Sequence, residues 1–296
     1  MNIMYCGDAY IQEGTLLSVM SLLDNVPEEL HLYLMTASVG EREALDDCFA
    51  DYLQALIRRQ WPQGSVRLID ATEVFNSQLP EANMETRFTP CCMLRLYTDL
   101  FDDMPDRILY LDNDIVCCKN CQELYNTEME QVEFAGVLDY YGRFFFRNSI
   151  WHMDYINSGV LVMNLAYMRE TGLLAACRQR CVEEQMFMPD QTSLNKLATS
   201  KRILPRRYND QRRDHDDTVM RHFSNCFGFF PPRLIDVKPW QVERVHEELK
   251  LHAYDGLLER YQEEWARYEQ ARQDWTGAQA AACAPSGSKD EVEAIA

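Results

Sequence analysis

Six short β-forming runs are spaced between Asn2 and Leu165: NIMYC, LHLYLM, SVRLID, RILYLD, FAGVLD and GVLVMNL. Between the first three lie apolar residues at helical spacing, Leu16, Leu17, Met20 and Leu23, then Leu45, Phe49, Leu53 and Leu56. Strands alternating with helices predict an α/β fold whose mostly parallel sheet is covered on both faces. Ligands of such sheets bind beyond the carboxyl ends of the strands. Acids recur at those ends: Asp8 after the first run, Asp70 after the third, Asp112-Asn113-Asp114 after the fourth and Asp139 after the fifth. Aspartate is also a common turn former and helix cap, and that ordinary role is the expectation for Asp70 and Asp139.

The totals exclude several classes. With 47 acids against 29 bases, the net charge of −18 over 296 residues argues against nucleic acid as a partner. No apolar run is long enough for a transmembrane segment, and MNIMYCGDAY lacks the basic and apolar regions of a secretory signal. Eleven cysteines, an odd number, fit reduced thiols and a cytoplasmic location. Cys118, Cys121, Cys177 and Cys181 could be drawn as a zinc site, but the second pair has the wrong spacing for a knuckle, so buried free thiols are expected. Neither a Gly-rich phosphate loop nor an internal repeat is present.

Beyond Tyr254, GLLERYQEEWARYEQARQDW reads as an amphipathic helix with Leu257, Tyr261, Trp265 and Tyr268 on one stripe. Residues 241–275 carry nine acids and five bases, so this extension is expected to pack on the domain or a partner instead of anionic lipid. Residues 276–296 are small and turn-rich, the composition of a disordered tail. From Lys201 to Arg221, seven bases and four acids read as a solvated loop, or as a wall that admits an anionic acceptor through Arg212 and Arg213.

The acid triplet carries the most chemistry. In an extended segment Asp112 and Asp114 point to one side while Asn113 faces away. Two converging carboxylates repel, and a hard divalent cation, Mg²⁺ or Mn²⁺, relieves that repulsion while leaving positions for phosphate oxygens. The apolar IVCC that follows, free of Gly and Pro, places the acids inside an extended element more than in a turn.

RILYLDNDIV, preceded by TPCCMLRLYTDLF and followed by YINSGVLVMNL, MPDQTSLNKL and KPW, resembles the family 8 glycosyltransferases, the group of lipopolysaccharide galactosyl- and glucosyltransferases and glycogenins. The blocks run in order from about Asn2 to Trp240. The resemblance implies an A-type glycosyltransferase fold, with a Rossmann-like central sheet in a catalytic unit over residues 1–240, a C-terminal helical extension over 241–275, and a tail. It further implies a UDP-sugar donor, Mn²⁺ (or Mg²⁺), retention of anomeric configuration, and a glycan or lipid-linked sugar as acceptor. Asp112 and Asp114 match the metal pair and Asn113 lies within that donor-binding motif. Arg95 matches a basic donor contact, Asp8 the acid beside nucleobase and ribose, and Asn157 a polar residue near the donor sugar. Asp190 and Gln191 match the pair facing the transferred sugar, although Pro189-Asp190 alone would read as a helix start. The family commonly closes the site with His, two residues, Gly, two residues and Lys-Pro-Trp; here Lys238 stands sixteen positions after His222. His222 as third metal ligand and Lys238 as a phosphate contact therefore depend on how that insertion folds. Two alternatives stand beside this one: a non-catalytic sugar-nucleotide or glycan-binding protein on the same fold, and a D-x-D phosphohydrolase, whose motif would end the first strand.

Overall fold

The structure, a computed structural model, describes residues 1–85, 89–145, 153–229 and 232–283. Its first part alternates strand and helix: β1 (Asn2–Gly7), α1 (Gln12–Asn25), β2 (His31–Thr36), α2 (Asp47–Gln60), β3 (Ser65–Asp70) and the short α3 (Thr72–Ser77). A 3-10 run from Pro90 to Leu100 leads to β4 (Arg107–Leu111), β5 (Ile115–Cys117) and the single turn α4 (Gln122–Tyr125). Next come β6 (Phe134–Leu138), α5 (Gly142–Phe145) and β7 (Ile156–Asn164). Helices α6 (Leu165–Thr171), α7 (Leu173–Glu183) and α8 (Pro189–Leu197) precede β8 (Lys201–Leu204) and β9 (Met220–His222). The hairpin of β10 (Cys226–Phe229) and β11 (Pro232–Ile235) then leads to α9 (Val242–Leu249) and α10 (Asp255–Cys283).

Seven strands form the central sheet in the order β3-β2-β1-β4-β7-β6-β8. Only β7 runs against its neighbours β4 and β6; the other pairings are parallel. Alternation along each strand divides the core between the two faces. Ile3, Tyr5, Leu109, Leu111, Val160 and Val162 join the cluster under α1, α2 and α10, whereas Met4, Ile108, Tyr110, Leu161 and Met163 join the one under the 3-10 run and α7. The central strands, covered on both faces, must be apolar throughout, which is why the runs of β4 and β7 are continuous, whereas the edge strand β3 exposes Arg67. Cys121 belongs to the first cluster and Cys177 and Cys181 to the second, so no zinc site joins them, and all ten cysteines with described side chains are free. No helix among the described residues is long and apolar enough to cross a membrane.

The C-terminal helix docks on this domain. Leu258, Tyr261, Glu264 and Tyr268 are its buried residues, one step around from the stripe expected through Leu257 and Trp265, which are only half-buried. Tyr268 lies edge-on to Phe49 at 5.3 Å and to Tyr52 at 5.2 Å, both on α2. The buried Glu264 accepts from Tyr52 Oη (2.8 Å) and Arg59 (2.9 Å), so the one acid on the packed face is paired. Helix α10 continues to Cys283, eight residues past the expected end at Trp275, and residues 284–296 lie outside the described residues. Tyr268→Ala should lower stability by about 3–5 kcal/mol, the cost of removing a fully buried aromatic, read as a lower denaturant midpoint. An unchanged midpoint would mean that α10 does not dock here.

Candidate active site

Strand order reverses between β1 and β4, and beyond the carboxyl edge of such a switch point is where sheets of this kind bind ligands. Asp8 follows β1 and Asp112 follows β4, so both stand on that edge. The acid triplet itself is a tight turn, not part of an extended strand as its apolar flanks suggested: Ile115 N–H donates to Asp112 O (3.3 Å), and β5 leaves to pair with β9. A turn brings Asp112 and Asp114 together as extended alternation would have, by a different geometry. Gly14 of α1 lets the turn sit down, since a Cβ there would lie 2.4 Å from Asn113 O and 2.5 Å from the Trp240 ring. Asn113 and Trp240 thus pack against α1, and Trp240 acts as an anchor for the loop that carries Lys238.

The insertion after His222 resolves as a hairpin. Strands β10 and β11 pair antiparallel from Cys226↔Ile235 to Phe229↔Pro232, so the extra residues loop out and return. His222 and Lys238 consequently both reach Asp114: His222 Nε2 is 3.2 Å from Oδ1, and Lys238 Nζ donates to Oδ2 at 2.8 Å. Burial penalises the Asp114 charge, but the Lys238 ammonium outweighs it and holds the carboxyl well below the usual range. Lys238 also donates to Phe223 O (3.3 Å) and pairs with Asp236 (3.4 Å).

A chain of amides fixes the tautomer of His222. Gly159 N–H donates to Asn157 Oδ1 (3.0 Å), so that oxygen can only accept the neighbouring Asn209 Nδ2 at 2.8 Å. Asn209 Oδ1 then faces His222 Nδ1 at 3.0 Å, and the imidazole must be the donor. In neutral His222 this leaves Nε2 as a lone pair turned toward Asp114 Oδ1 and, at 3.8 Å, Asp112 Oδ2. Asp114 Oδ1 is buried without a hydrogen-bond partner, and ligand atoms of the three residues lie within 4.8 Å of one another. Three electron-rich groups facing one point need a positive charge between them. A divalent cation with oxygen and imidazole preference, such as Mn²⁺, fits that set.

Behind this face Arg95, Asp190, Gln191 and Asn157 form one polar shell. Arg95, with its side chain 3% exposed, donates to Cys92 O (2.9 Å), Ser158 O (2.6 Å) and Asp112 Oδ1 (3.1 Å), and its Nε is 3.3 Å from Asp190 Oδ2. Its guanidinium also lies 3.8 Å above the Tyr110 ring. It is therefore a strut between two carboxylates, with its charge turned inward. Asp190 does not cap α8; its carboxylate accepts from Ser158 Oγ (3.2 Å) as well as facing Arg95. Gln191 accepts Ser158 N–H (2.8 Å) and donates to Asp139 Oδ2 (3.2 Å), while Asn157 Nδ2 donates to the same oxygen at 2.9 Å. Asp8 caps the 3-10 turn Ala9–Ile11 through Tyr10 N–H (3.1 Å) and pairs with Arg42 at 2.9 Å.

Several site residues carried no clear sequence signal. Asp139 accepts from Tyr141 N–H and Gly142 N–H, the turn role expected of it, and its other oxygen also holds both Asn157 and Gln191; Asp70 only caps the turn at Thr72. Ser158 and Gly159 lay unremarked inside an apolar strand. A Cβ on Gly159 would meet His222 Cε1 at 2.4 Å and Asp112 Oδ2 at 2.9 Å, so this glycine makes room for the convergence. Asn209 sat within the basic loop, most of whose cations have partners: Arg206 with Asp210 and Asp217, Arg207 with Glu123, Arg221 with Asp214. Arg212 donates to Tyr140 Oη at 2.6 Å, which puts this one residue of the loop next to the segment after Asp139.

Gly159→Ala should weaken Mn²⁺ binding, because the locked imidazole has no free direction in which to move. Asn209→Ala should cost about 10- to 100-fold in Mn²⁺ affinity, as for other partners that orient a ligand histidine, while Asn209→Asp, which keeps an acceptor for Nδ1–H, retains most of it. Calorimetric Mn²⁺ titration checks both; equal affinity in Asn209→Ala would remove the tautomer argument.

A model of "Glycosyl transferase family 8" matches residues 2–227. A lipopolysaccharide 1,2-glucosyltransferase of Escherichia coli is 27% identical over 266 residues, covering 81% of this chain and 73% of its own length. The glycosyltransferase GlyA of Streptococcus pneumoniae is 32% identical over 98 residues, which are 32% of this chain and only 13% of that longer protein. Among solved structures, galactosyltransferase LgtC in complex with donor and acceptor sugar analogues superposes with a TM-score of 0.61 at 19% identity, covering 89% of this chain and 95% of LgtC, which shows the shared fold. With a family match over most of its length and a fold shared with LgtC, the chain belongs to glycosyltransferase family 8 and is a glycosyltransferase.

Proposed function

We propose that this enzyme is a retaining hexosyltransferase that moves glucose or galactose from a UDP-sugar to a hydroxyl of a glycan or lipid-linked acceptor in the cytoplasm. In this reading Asp112, Asp114 and His222 hold Mn²⁺ or Mg²⁺, residues 1–240 form the catalytic unit and residues 241–275 buttress it. The observation that carries it is the confrontation of two carboxylates and an imidazole lone pair at the carboxyl edge where strand order reverses between β1 and β4. The Escherichia coli relative, named for glucosyl transfer to lipopolysaccharide, supports a hexose and a glycolipid acceptor.

Leaving-group departure is the hard step, since the diphosphate gains charge as the glycosidic bond breaks. A bound ion would neutralise that charge. Lys238 adds a second positive group beside it, kept protonated because Asp114 outweighs the opposing effect of burial. Asp190 and Gln191, in the first turn of α8, have their orientation fixed by Ser158 and Arg95, which suits them to hold sugar hydroxyls and to stabilise oxocarbenium character. Arg95 acts by keeping Asp112 and Asp190 in register, and Asn157 and Asp139 support the sugar side of the site. Asp8 lies at the end of β1, where the nucleoside would rest, with Arg42 holding its carboxylate in place. Retention requires the acceptor hydroxyl to approach from the face that the diphosphate leaves.

Replacing Asp112 or Asp114 by Asn should reduce hexosyl transfer by about 10²-fold or more, on the scale of losing a charge-stabilising group. The native enzyme should show a Mn²⁺-dependent rise in Tm with UDP-glucose or UDP-galactose, and the same variants should lose it. Full turnover in both variants would refute the assignment.

A further inference from the structure

At the junction of α9 and α10 lies a second set of metal-ligating groups, separate from the catalytic residues. His246 Nε2 is 2.8 Å from Asp255 Oδ1, and His252 Nδ1 is 3.2 Å from Asp255 Oδ2. The two imidazoles lie nearly parallel, with 20° between their planes and 4.7 Å between their centres. All three ligand atoms fall within 4.8 Å of one another. Lys250 ends α9 in the left-handed region (φ 54°), and Leu251 N–H returns to Val245 O, which folds His252 back toward His246. Asp255 N–H then donates to His252 O, so the turn that carries two of the three groups is closed by its own backbone.

We propose that His246, His252 and Asp255 form a binding site for Zn²⁺ or a similar nitrogen-preferring divalent ion, which staples α9 to α10. Bonds of about 2.0–2.1 Å to a four-coordinate ion separate its ligands by roughly 3.3 Å, close to the spacing already present between the carboxylate oxygens and the two ring nitrogens. Two imidazoles with one carboxylate suit zinc, whereas the catalytic set, two carboxylates with one imidazole, suits Mn²⁺ or Mg²⁺. His252 is 65% exposed, which leaves an open path for the ion and a position for water. The staple bears on the loop of the catalytic unit, because α9 begins just after Lys238 and Trp240 while α10 lies on α1 and α2.

Zinc titration of the full chain in excess Mg²⁺, followed by equilibrium dialysis and metal analysis, tests this. The native protein should bind one more equivalent of Zn²⁺ than His252→Ala or Asp255→Asn, and Zn²⁺ should raise its Tm but not theirs. Hexosyl transfer by His252→Ala should equal that of the native enzyme without added zinc, which shows that the variant is folded and keeps this inference separate from the catalytic one. Equal zinc content in the native protein and both variants would overturn the proposal, and the three residues would then be a hydrogen-bonded helix junction only.

Discussion

Two carboxylates and an imidazole lone pair turned toward one point repel one another, and much of the surrounding structure serves to hold them there. Without that enforcement, the half-exposed Asp112 would swing toward solvent and His222 would rotate to donate to Asp114. The sheet supplies the place, because chain order reverses between β1 and β4 and sets the carboxyl ends of both strands side by side at the switch point. Strand β9, paired with β5, supplies His222 from the opposite side. The confrontation is thus built from segments more than a hundred residues apart in sequence.

Orientation comes from a second layer of groups. Gly159 contributes twice, through its N–H to Asn157 and through its missing Cβ, which leaves space for the His222 ring. Asn157 and Asn209 pass that directional information to the imidazole, and Asp139 joins the same network to Gln191. Arg95 links Asp112 to Asp190, so the groups suited to the departing diphosphate and those suited to the sugar are fixed in one frame. Such preorganisation is what an electrostatic site requires, since donors and acceptors that must reorient during reaction lose most of their value.

Periodicity made the scaffold legible. The six β-forming runs are strands, and the helical spacing of Leu16 to Leu23 and Leu45 to Leu56 falls on α1 and α2, because burial on both faces of a parallel sheet imposes continuous apolar stretches. The D-x-D acids were legible as converging charges, but their local conformation was not: β-branched neighbours suggested extension where a turn forms. His222 and Lys238 were separated by an insertion whose length says nothing about whether its ends meet. Hairpin pairing of β10 with β11 closes that gap, and only tertiary structure reveals it. Asn209 and Ser158 escaped notice, and Asp139 was legible only as a turn former, for a related reason, since a hydrogen-bond chain between distant segments leaves no spacing pattern. The position of Asp112 after β4 also separates this protein from phosphohydrolases that carry D-x-D at the end of their first strand.

The most direct test of the ion at the centre of this account is electron paramagnetic resonance of Mn²⁺ added to the purified chain, with ¹⁵N-labelled histidine to report on its ligands. Bound Mn²⁺ showing hyperfine coupling to one histidine nitrogen, lost in His222→Ala and accompanied by weaker binding in Asp112→Asn, is the predicted result. A spectrum of free Mn²⁺, or bound Mn²⁺ unaffected by either substitution, would contradict it.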